Sequence, residues 1–184
     1  MNFTLTRISL GVLLAAALVF VAVRAFAASA PTPQVGQTAP TFTLPSQEGT
    51  NVSLSQYKGK WVVLYFYPKD MTSGCTIEAR NFQKDIGKFE ALNAVVLGVS
   101  VQSVKSHQAF CAKDGLHFKL LSDSDHNVVK EYGSLGDYMG MKLAKRNTFL
   151  ISPDGKIAKE WIGVDPNQAS TEVLDAIHSM PKSS

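Results

Sequence analysis

Cys75 has sequence neighbours that could make its thiol a nucleophile. It follows a polar loop, Lys69 to Gly74, that begins after Pro68, and an apolar helical pattern starts close to the cysteine. We expect a helix capped by Thr72 or Ser73, with the free N–H groups and the positive end of the helix dipole facing the sulfur. Such a position favours the thiolate, the reactive form of cysteine. A buried core cysteine or half of a structural disulfide is the alternative.

A buried strand and a helix are expected to position this cysteine. Trp61 to Tyr67 carries no charge and is rich in β-branched and aromatic residues, which is typical of a strand buried on both faces of a mostly parallel sheet. A second apolar run, Ala94 to Val99, predicts its parallel partner, so Cys75 would lie at the carboxyl edge where open α/β sheets bind ligands. Between the two strands, apolar spacings of three to five predict one continuous helix with a single buried stripe: Ile77, Phe82, Ile86, Phe89 and Leu92.

The frame Pro-x-x-x-Thr-x-x-Cys, formed by Pro68, Thr72 and Cys75, resembles the active-site motif of the peroxiredoxins. The surrounding sequence, YFYPKDMTSGCTIEA, is most similar to the bacterioferritin-comigratory or Q-type branch, and the resemblance extends from about Gly36 to the C-terminus. It implies that Cys75 attacks the O–O bond of a peroxide and becomes a sulfenic acid. Ser73 departs from the family pattern, in which proline usually stands before the glycine.

The resemblance also implies which groups surround the sulfur. Thr72 would supply a hydroxyl that orients the peroxide, and Pro68 would shield the sulfur from water without offering an N–H. Arg146, at the head of a predicted strand, resembles the arginine that donates to the peroxide and holds the thiolate. An isolated arginine there would otherwise be interpreted as a surface residue. Glu78 is expected to be ordinary helix structure, with a supporting role in the site as the alternative.

Cys111, the only other cysteine, follows Cys75 by 36 residues on a helix predicted over Ser103 to Asp114. Many Q-type relatives carry a resolving cysteine five residues after the first one, but that position here is Arg80, which we expect to be solvated. Other members of the branch resemble this chain, with the second cysteine on the following helix. The resemblance therefore implies that Cys111 resolves the sulfenic acid as an intramolecular disulfide, which an external dithiol reduces. Because the two Cα atoms must approach within about 7 Å, local unfolding around both cysteines is predicted.

Two other interpretations of this second helix remain open. Cys111 could be a small apolar residue on an inner stripe with Val104 and Gln108. His107, one turn earlier, is expected to be solvated, and lowering the pKa of Cys111 is its alternative role.

The order of elements predicts an α/β protein with a thioredoxin-like fold and an N-terminal β-hairpin extension. Strands, a helix, a strand, a helix and a strand are followed by a hairpin and a last helix, with a helical turn before that hairpin. Pro153-Asp154-Gly155 provides the turn of the second hairpin. Besides the elements above, the expected ranges are Thr41 to Leu44 and Asn51 to Leu54, Phe118 to Leu121, Asn127 to Tyr132, Thr148 to Ser152 and Lys156 to Ile162, and Ala169 to Met180.

Residues 1–30 have the pattern of a signal peptide. Arg7 is the only charge before an apolar run from Ile8 to Val23, and the small residues AFAASA follow. Arg24 lies between the apolar run and the expected cleavage sites, and because of it an uncleaved N-terminal membrane anchor is the alternative interpretation. We expect residues 31–40 to be a linker, residues 41–184 to form one domain, and the protein to be exported to the periplasm or anchored facing it.

Composition and motifs exclude several classes of function. The net charge of +3 is not gathered into a basic stripe, so we expect no nucleic acid partner. Asp123-x-Asp125-x-Asn127 imitates a calcium loop, but Val128 and Ser134 stand where glycine and glutamate are required. We expect no metal and no cofactor. The expected partners are a hydroperoxide substrate and a thioredoxin-like or other dithiol reductant, and the resemblance favours a monomer.

Two functions are therefore compared below. The first is a thiol peroxidase that uses Cys75, Thr72, Arg146 and Cys111. The second is a non-catalytic thioredoxin-like module of the periplasm, in which Cys75 and Cys111 form a permanent disulfide. A disulfide oxidoreductase is weaker than both, because the chain contains no CxxC motif.

Overall fold

The computed structural model of the chain describes residues 32–180. The signal peptide or anchor predicted for residues 1–30 lies outside the described residues. The strands are β1 (Thr43–Pro45), β2 (Asn51–Ser53), β3 (Trp61–Phe66), β4 (Ala94–Ser100), β5 (Lys119–Ser122), β6 (Leu135–Tyr138), β7 (Met141–Ala144), β8 (Asn147–Ile151) and β9 (Ile157–Ile162). The helices are α1 (Ser73–Lys84), α2 (Ile86–Ala91), α3 (Val104–Asp114), α4 (Asn127–Glu131) and α5 (Ala169–Ser179), with a 3₁₀ turn at Leu54–Tyr57.

A five-stranded mixed sheet in the order β5-β4-β3-β8-β9 forms the centre of the domain. β3 pairs in parallel with β4, and β4 with β5, whereas β8 runs antiparallel to β3 and β9 antiparallel to β8. β1 and β2 form the separate N-terminal hairpin. The predicted thioredoxin-like α/β architecture and both predicted hairpins are therefore confirmed.

β3 is covered on both faces. Val63, Tyr65 and Tyr67 point into a core that also contains residues of α1, α2, α3 and α5. Val62, Leu64 and Phe66 point into a second core with the N-terminal hairpin and α4. Cys75 belongs to the first core and Cys111 packs against it. Both cysteines therefore lie on the same side of the sheet.

The helix after Cys75 is not continuous, contrary to the prediction. α1 ends at Lys84, and α2 begins at Ile86 after a break at Asp85. The predicted stripe is also shifted, because Ile77 is 41% exposed while Cys75, Glu78, Ala79 and Phe82 are buried. A stripe that includes a glutamate is not recognised by apolar spacing alone.

The buried stripe of α3 also differs from the prediction. His107 and Phe110 are its buried residues, and Gln108 is exposed. His107 was expected to be solvated but is fully buried. The side of α3 that faces the sheet is thus offset from the stripe expected for Cys111.

The expected linker is partly integrated into the domain. The N–H of Gly36 donates to Ile157, the N–H of Ile157 donates to Gln37, and the N–H of Ala39 donates to Gly155, all through backbone carbonyls. Ala39 is buried. The domain therefore begins before residue 41.

A hairpin formed by β6 and β7 was not predicted. It pairs residues 135–138 with 141–144 and precedes Arg146. Met139 at its tip is fully exposed, and residues 133–145 lack the apolar and polar alternation that indicates a strand. Within residues 32–180, no helix is both long and apolar enough to cross a membrane, and no group of three or more His, Cys, Asp or Glu side chains is placed to hold a metal ion.

Candidate active site

Cys75 is the third residue of α1 and is buried. β3 ends at Phe66, and the loop that includes Pro68 and Thr72 turns the chain into the helix. Thr72 occupies the N-cap position, but its side chain makes no capping hydrogen bond. The Thr72 hydroxyl instead donates to the carbonyl of Lys69 at 3.0 Å. The first turn of α1 is therefore not capped by the hydroxyl expected there.

Arg146, which is distant from Cys75 in the sequence, contacts Cys75 in the fold. It directly precedes β8, whose first residue, Asn147, pairs with Phe66 at the end of β3. Nη2 of Arg146 donates to Sγ of Cys75 at 3.3 Å, and Nη1 donates to Oε2 of Glu78. The antiparallel pairing of β3 with β8 thus places a guanidinium at the N-terminus of α1.

Glu78 holds the guanidinium from the other side. It lies one turn after Cys75, on the same face of α1, and is fully buried. Burial raises the pKa of Glu78 from 4.5 to about 7, although the charge and the hydrogen bond of Arg146 oppose this shift. Burial lowers the pKa of Arg146, but the negative charge of Glu78 and the contact with Cys75 outweigh this effect, so the guanidinium pKa is raised. One cation is thereby shared between a carboxylate and a thiol.

Gly74 allows this close approach. A Cβ atom at Gly74 would lie 3.2 Å from Nη2 of Arg146 and 3.7 Å from Cγ of Pro166, which is tight for the guanidinium. Pro68 is partly buried and Thr72 is exposed, and neither makes a side-chain hydrogen bond to Cys75 or Arg146. The structure therefore brings together Cys75, Arg146 and Glu78 directly, with Pro68 and Thr72 on the adjoining loop.

Cys111 lies in the last turns of α3 and is partly exposed. Both cysteines are free thiols, so the permanent disulfide of the non-catalytic interpretation is not formed in this structure. Burial, with the negative charges of Asp70 and Glu48, raises the pKa of Cys111 to about 11. His107, the alternative candidate for lowering this pKa, is not among the groups that shift it, and its ring contacts Asp70 instead.

A buried polar network around Asp70 was missed in the sequence. Nδ1 of His107 lies 2.9 Å from Oδ2 of Asp70, and the hydroxyls of Tyr67 and Ser106 donate to the same carboxylate at 2.7 and 2.5 Å. Burial by itself would raise the pKa of Asp70, but the His107 and Ser106 contacts hold it below its usual value. The network joins the loop before Cys75 to the first half of α3. Its only sequence signal was a histidine one turn before Cys111.

Comparisons with known proteins cover the same region. Residues 35–160 match the AhpC/TSA family. Peroxiredoxin Bcp of Bacillus subtilis is 41% identical over 156 residues, which span 80% of this chain and 96% of that protein. The chloroplastic peroxiredoxin Q of Sedum lineare is 47% identical over 146 residues, which span 79% of this chain and 78% of that protein.

Solved structures agree with the sequence comparisons. A mutant of PrxQ from Xylella fastidiosa has a TM-score of 0.76 at 38% identity, covering 80% of this chain and 96% of that one. Two structures of peroxiredoxin Q from Xanthomonas campestris, each with a TM-score of 0.72 and 35% identity, carry cysteine-to-serine mutations at positions 36 residues apart, the separation of Cys75 and Cys111 here. Each covers 82% of this chain and 98% of that one. The chain therefore belongs to the AhpC/TSA family and, within it, to the peroxiredoxins of the Bcp and Q type.

Proposed function

We propose that this chain is a thiol-dependent peroxidase in which Cys75 attacks the hydroperoxide. The observation that carries the proposal is the guanidinium of Arg146, which lies 3.3 Å from Sγ of Cys75 and is held by the buried carboxylate of Glu78. A fixed cation beside a thiol at a helix N-terminus stabilises the thiolate. The same cation can stabilise the negative charge that develops on the peroxide oxygens. A non-catalytic module would gain little from a buried ion pair at this position.

In the first step, the thiolate of Cys75 attacks one peroxide oxygen, and the S–O bond forms as the O–O bond breaks. Cys75 is oxidised to a sulfenic acid, and the hydroxide or alkoxide that leaves takes up a proton and departs as water or alcohol. Arg146 donates to the reacting oxygens. We assign the Thr72 hydroxyl to orienting the peroxide, which requires it to turn from the Lys69 carbonyl, and Pro68 to shielding the sulfur.

Cys111 is the proposed resolving thiol. Its sulfur attacks that of the Cys75 sulfenic acid, and the product disulfide is reduced by an external dithiol. The paired cysteine mutants of the Xanthomonas campestris protein, with the same separation, support this assignment. Burial and the nearby charges that raise the pKa of Cys111 to about 11 make it a poor nucleophile while α3 is closed. Local unfolding would remove these causes, because the thiol would then face water.

Turnover of the two cysteine variants tests the proposal. The wild-type protein should consume hydrogen peroxide with dithiothreitol as reductant, and Cys75→Ser should abolish consumption. Cys111→Ser should still react once with peroxide but then depend on a different thiol for turnover. Intact mass after oxidation should show a disulfide only in the wild type. If both variants lower stability alike and the wild type has no activity, the non-catalytic module with a structural disulfide is correct.

We extend the proposal to hydrogen peroxide and small organic hydroperoxides as substrates, a thioredoxin-like dithiol as reductant, and a monomer as the active species. A solved structure of the Xanthomonas campestris bacterioferritin comigratory protein is described in connection with alkyl peroxide reduction by that protein. Rates with hydrogen peroxide and tert-butyl hydroperoxide, each with thioredoxin and with dithiothreitol, would test substrate and reductant. Sedimentation of the reduced and the oxidised protein would test the oligomeric state.

We also propose that the protein works outside the cytoplasmic membrane. The support is the apolar run from Ile8 to Val23 followed by small residues in the sequence. Fractionation of cells that produce the full chain should place it in the periplasm, and the mass of the mature protein should show a new N-terminus after residue 27 or 30. Recovery in the membrane fraction would indicate an anchor, and recovery of the full-length chain in the cytosol would refute export.

A further inference from the structure

Asp114, the last residue of α3, is a buried carboxylate with one partner. Its side chain is 1% exposed. Oδ1 accepts hydrogen bonds from Nε and Nη2 of Arg80 at 2.9 and 2.6 Å. Oδ2 has no hydrogen-bond partner among the described residues. The negative charge is therefore compensated from one side only, by a guanidinium whose side chain is 62% exposed.

This ion pair joins the two helices that carry the cysteines. Arg80 lies on α1 five residues after Cys75, and Asp114 lies on α3 three residues after Cys111. Past Asp114 the helix ends at Gly115, which adopts a left-handed conformation with φ 63°. The backbone N–H groups of Gly115 and Leu116 both donate to the carbonyl of Cys111. Opening this last turn would therefore release the backbone of Cys111 itself.

The first half of α3 is held in a different way. Ser106 and His107 both contact the Asp70 carboxylate, and Nε2 of His107 lies 3.2 Å from the carbonyl of Leu121 in β5. His107 is fully buried, so water does not compete for these contacts. Of these two sets of polar contacts, the Arg80–Asp114 ion pair is nearer to Cys111, and its guanidinium is accessible to solvent and salt.

Loss of Arg80 would favour the local unfolding that we predict for disulfide formation. A buried charge without its partner is strongly unfavourable. The simplest relief is for the last turn of α3 to open and expose Asp114 to water. That movement also exposes Cys111, which removes the burial that suppresses its thiolate.

We propose that Arg80 and Asp114 are positioning residues that hold Cys111 in the closed helix and thereby limit the rate of resolution. This inference depends on the roles proposed above for Cys75 and Cys111. In the step concerned, the Cys111 thiolate forms the S–S bond with the Cys75 sulfur, the S–O bond breaks, and the hydroxide takes up a proton and leaves as water. Cys111 is oxidised and the sulfenic sulfur of Cys75 is reduced. While the ion pair between Arg80 and Asp114 is intact, a second peroxide can instead oxidise the sulfenic acid of Cys75 to the sulfinic acid.

The test compares Arg80→Met with the conservative Arg80→Lys. Lys142→Met is the matched control, because it breaks another side-chain ion pair, with Asp137 at 2.6 Å, outside both cysteine helices. Stopped-flow tryptophan fluorescence follows the reaction of the full chain with peroxide, rapid quench with alkylation follows the disulfide, and intact mass measures the sulfinic acid.

In Arg80→Met, disulfide formation should be about three- to tenfold faster than in the wild type. Formation of the sulfinic acid should require a higher peroxide concentration. The rate at which Cys75 reacts with the first peroxide should stay within about twofold of the wild-type rate. Arg80→Lys and Lys142→Met should behave like the wild type. Raising salt from about 0.1 M to about 1 M should accelerate the disulfide step in the wild type but not in Arg80→Met. A structural role alone would not produce this difference in salt dependence.

An unchanged or slower disulfide step in a folded Arg80→Met protein would overturn the inference. If Arg80→Met does not fold, Asp114→Asn carries the same test, since it removes the charge while keeping the shape, and at least about twofold acceleration is expected. The proposed function fails separately: a wild-type protein that forms neither sulfenic acid nor a disulfide with peroxide would refute it whatever the Arg80 variants do.

Discussion

Replacing Glu78 by glutamine tests whether this buried carboxylate makes stability depend on pH. Burial raises its pKa from 4.5 to about 7, against the opposing effect of Arg146. Between these values the folded protein holds a proton that the unfolded chain has released. The protonated Glu78 therefore adds most to the free energy of unfolding below pH 4.5, and this stabilising contribution is lost as the pH rises through 7. Because one pKa unit corresponds to about 1.4 kcal/mol, the whole loss is about 3 to 4 kcal/mol.

Glu78→Gln removes this titration and keeps the shape of the side chain. The free energy of unfolding of the wild type, relative to that of Glu78→Gln, should fall by about 2 to 3 kcal/mol from about pH 5 to about pH 8. Urea denaturation of the reduced proteins, followed by tryptophan fluorescence, measures this difference. All other side chains are the same in both proteins, so their contributions largely cancel in the comparison. Glu90→Gln, at an exposed position of α2, is the control and should leave the wild-type pH dependence unchanged.

Parallel stability curves for the wild type and Glu78→Gln would refute the assignment of a raised pKa to Glu78. The same variant should also react more slowly with peroxide. Above pH 7 the carboxylate anchors Arg146 by charge, whereas the amide does not, so we expect a rate about tenfold lower. The difference in rate between the wild type and Glu78→Gln should become smaller below pH 7, where the wild-type carboxyl group is also neutral. A rate equal to the wild type at about pH 8 would show that Arg146 does not need this anchor.

Gly74→Ala should lower the rate with peroxide about tenfold or more, since the added Cβ would lie 3.2 Å from Nη2 of Arg146 and displace it from the sulfur. A lower stopped-flow rate for Gly74→Ala, together with an unchanged melting temperature, would support this prediction, and a rate equal to that of the wild type would contradict it. Arg146→Met should lower the same rate by about 10²- to 10³-fold, and a loss of less than about threefold would remove the guanidinium from the mechanism. Gly98→Ala should destabilise the domain by about 1–3 kcal/mol in urea denaturation, because its Cβ would lie 2.7 Å from both Tyr65 and Leu120. Unchanged stability would mean that these side chains can move aside.

Elements whose signal is local were predictable. The seven uncharged residues from Trp61 to Tyr67 predict a buried central strand, and β3 is that strand. Pro153-Asp154-Gly155 predicts the turn between β8 and β9. The break at Asp85 was not predictable from apolar spacing, because the residues on either side continue a plausible helical pattern. The β6–β7 hairpin was missed since its exposed methionines obscure the alternation that marks a strand.

The charged contacts of the site were harder to predict than its nucleophile. A glutamate on a helix is ordinarily solvated, and Glu78 is buried because Arg146, 68 residues later, supplies its partner. His107 is buried for the same kind of reason, with Asp70 as its partner 37 residues earlier. Burial of a charge depends on a partner that local pattern does not reveal.

The sequence by itself determined the thioredoxin-like order of elements, the cysteine at the start of a helix and the family to which the motif belongs. The order of elements and the position of the cysteine follow from periodicity and spacing within short segments of chain, whereas the family follows from the resemblance of the motif around Cys75. Only the tertiary structure decided that Arg146 is shared by Cys75 and Glu78, and that an ion pair between Arg80 and Asp114 connects the two cysteine helices. Such pairs form when the pairing of distant strands and the packing of helices bring opposite charges together away from water.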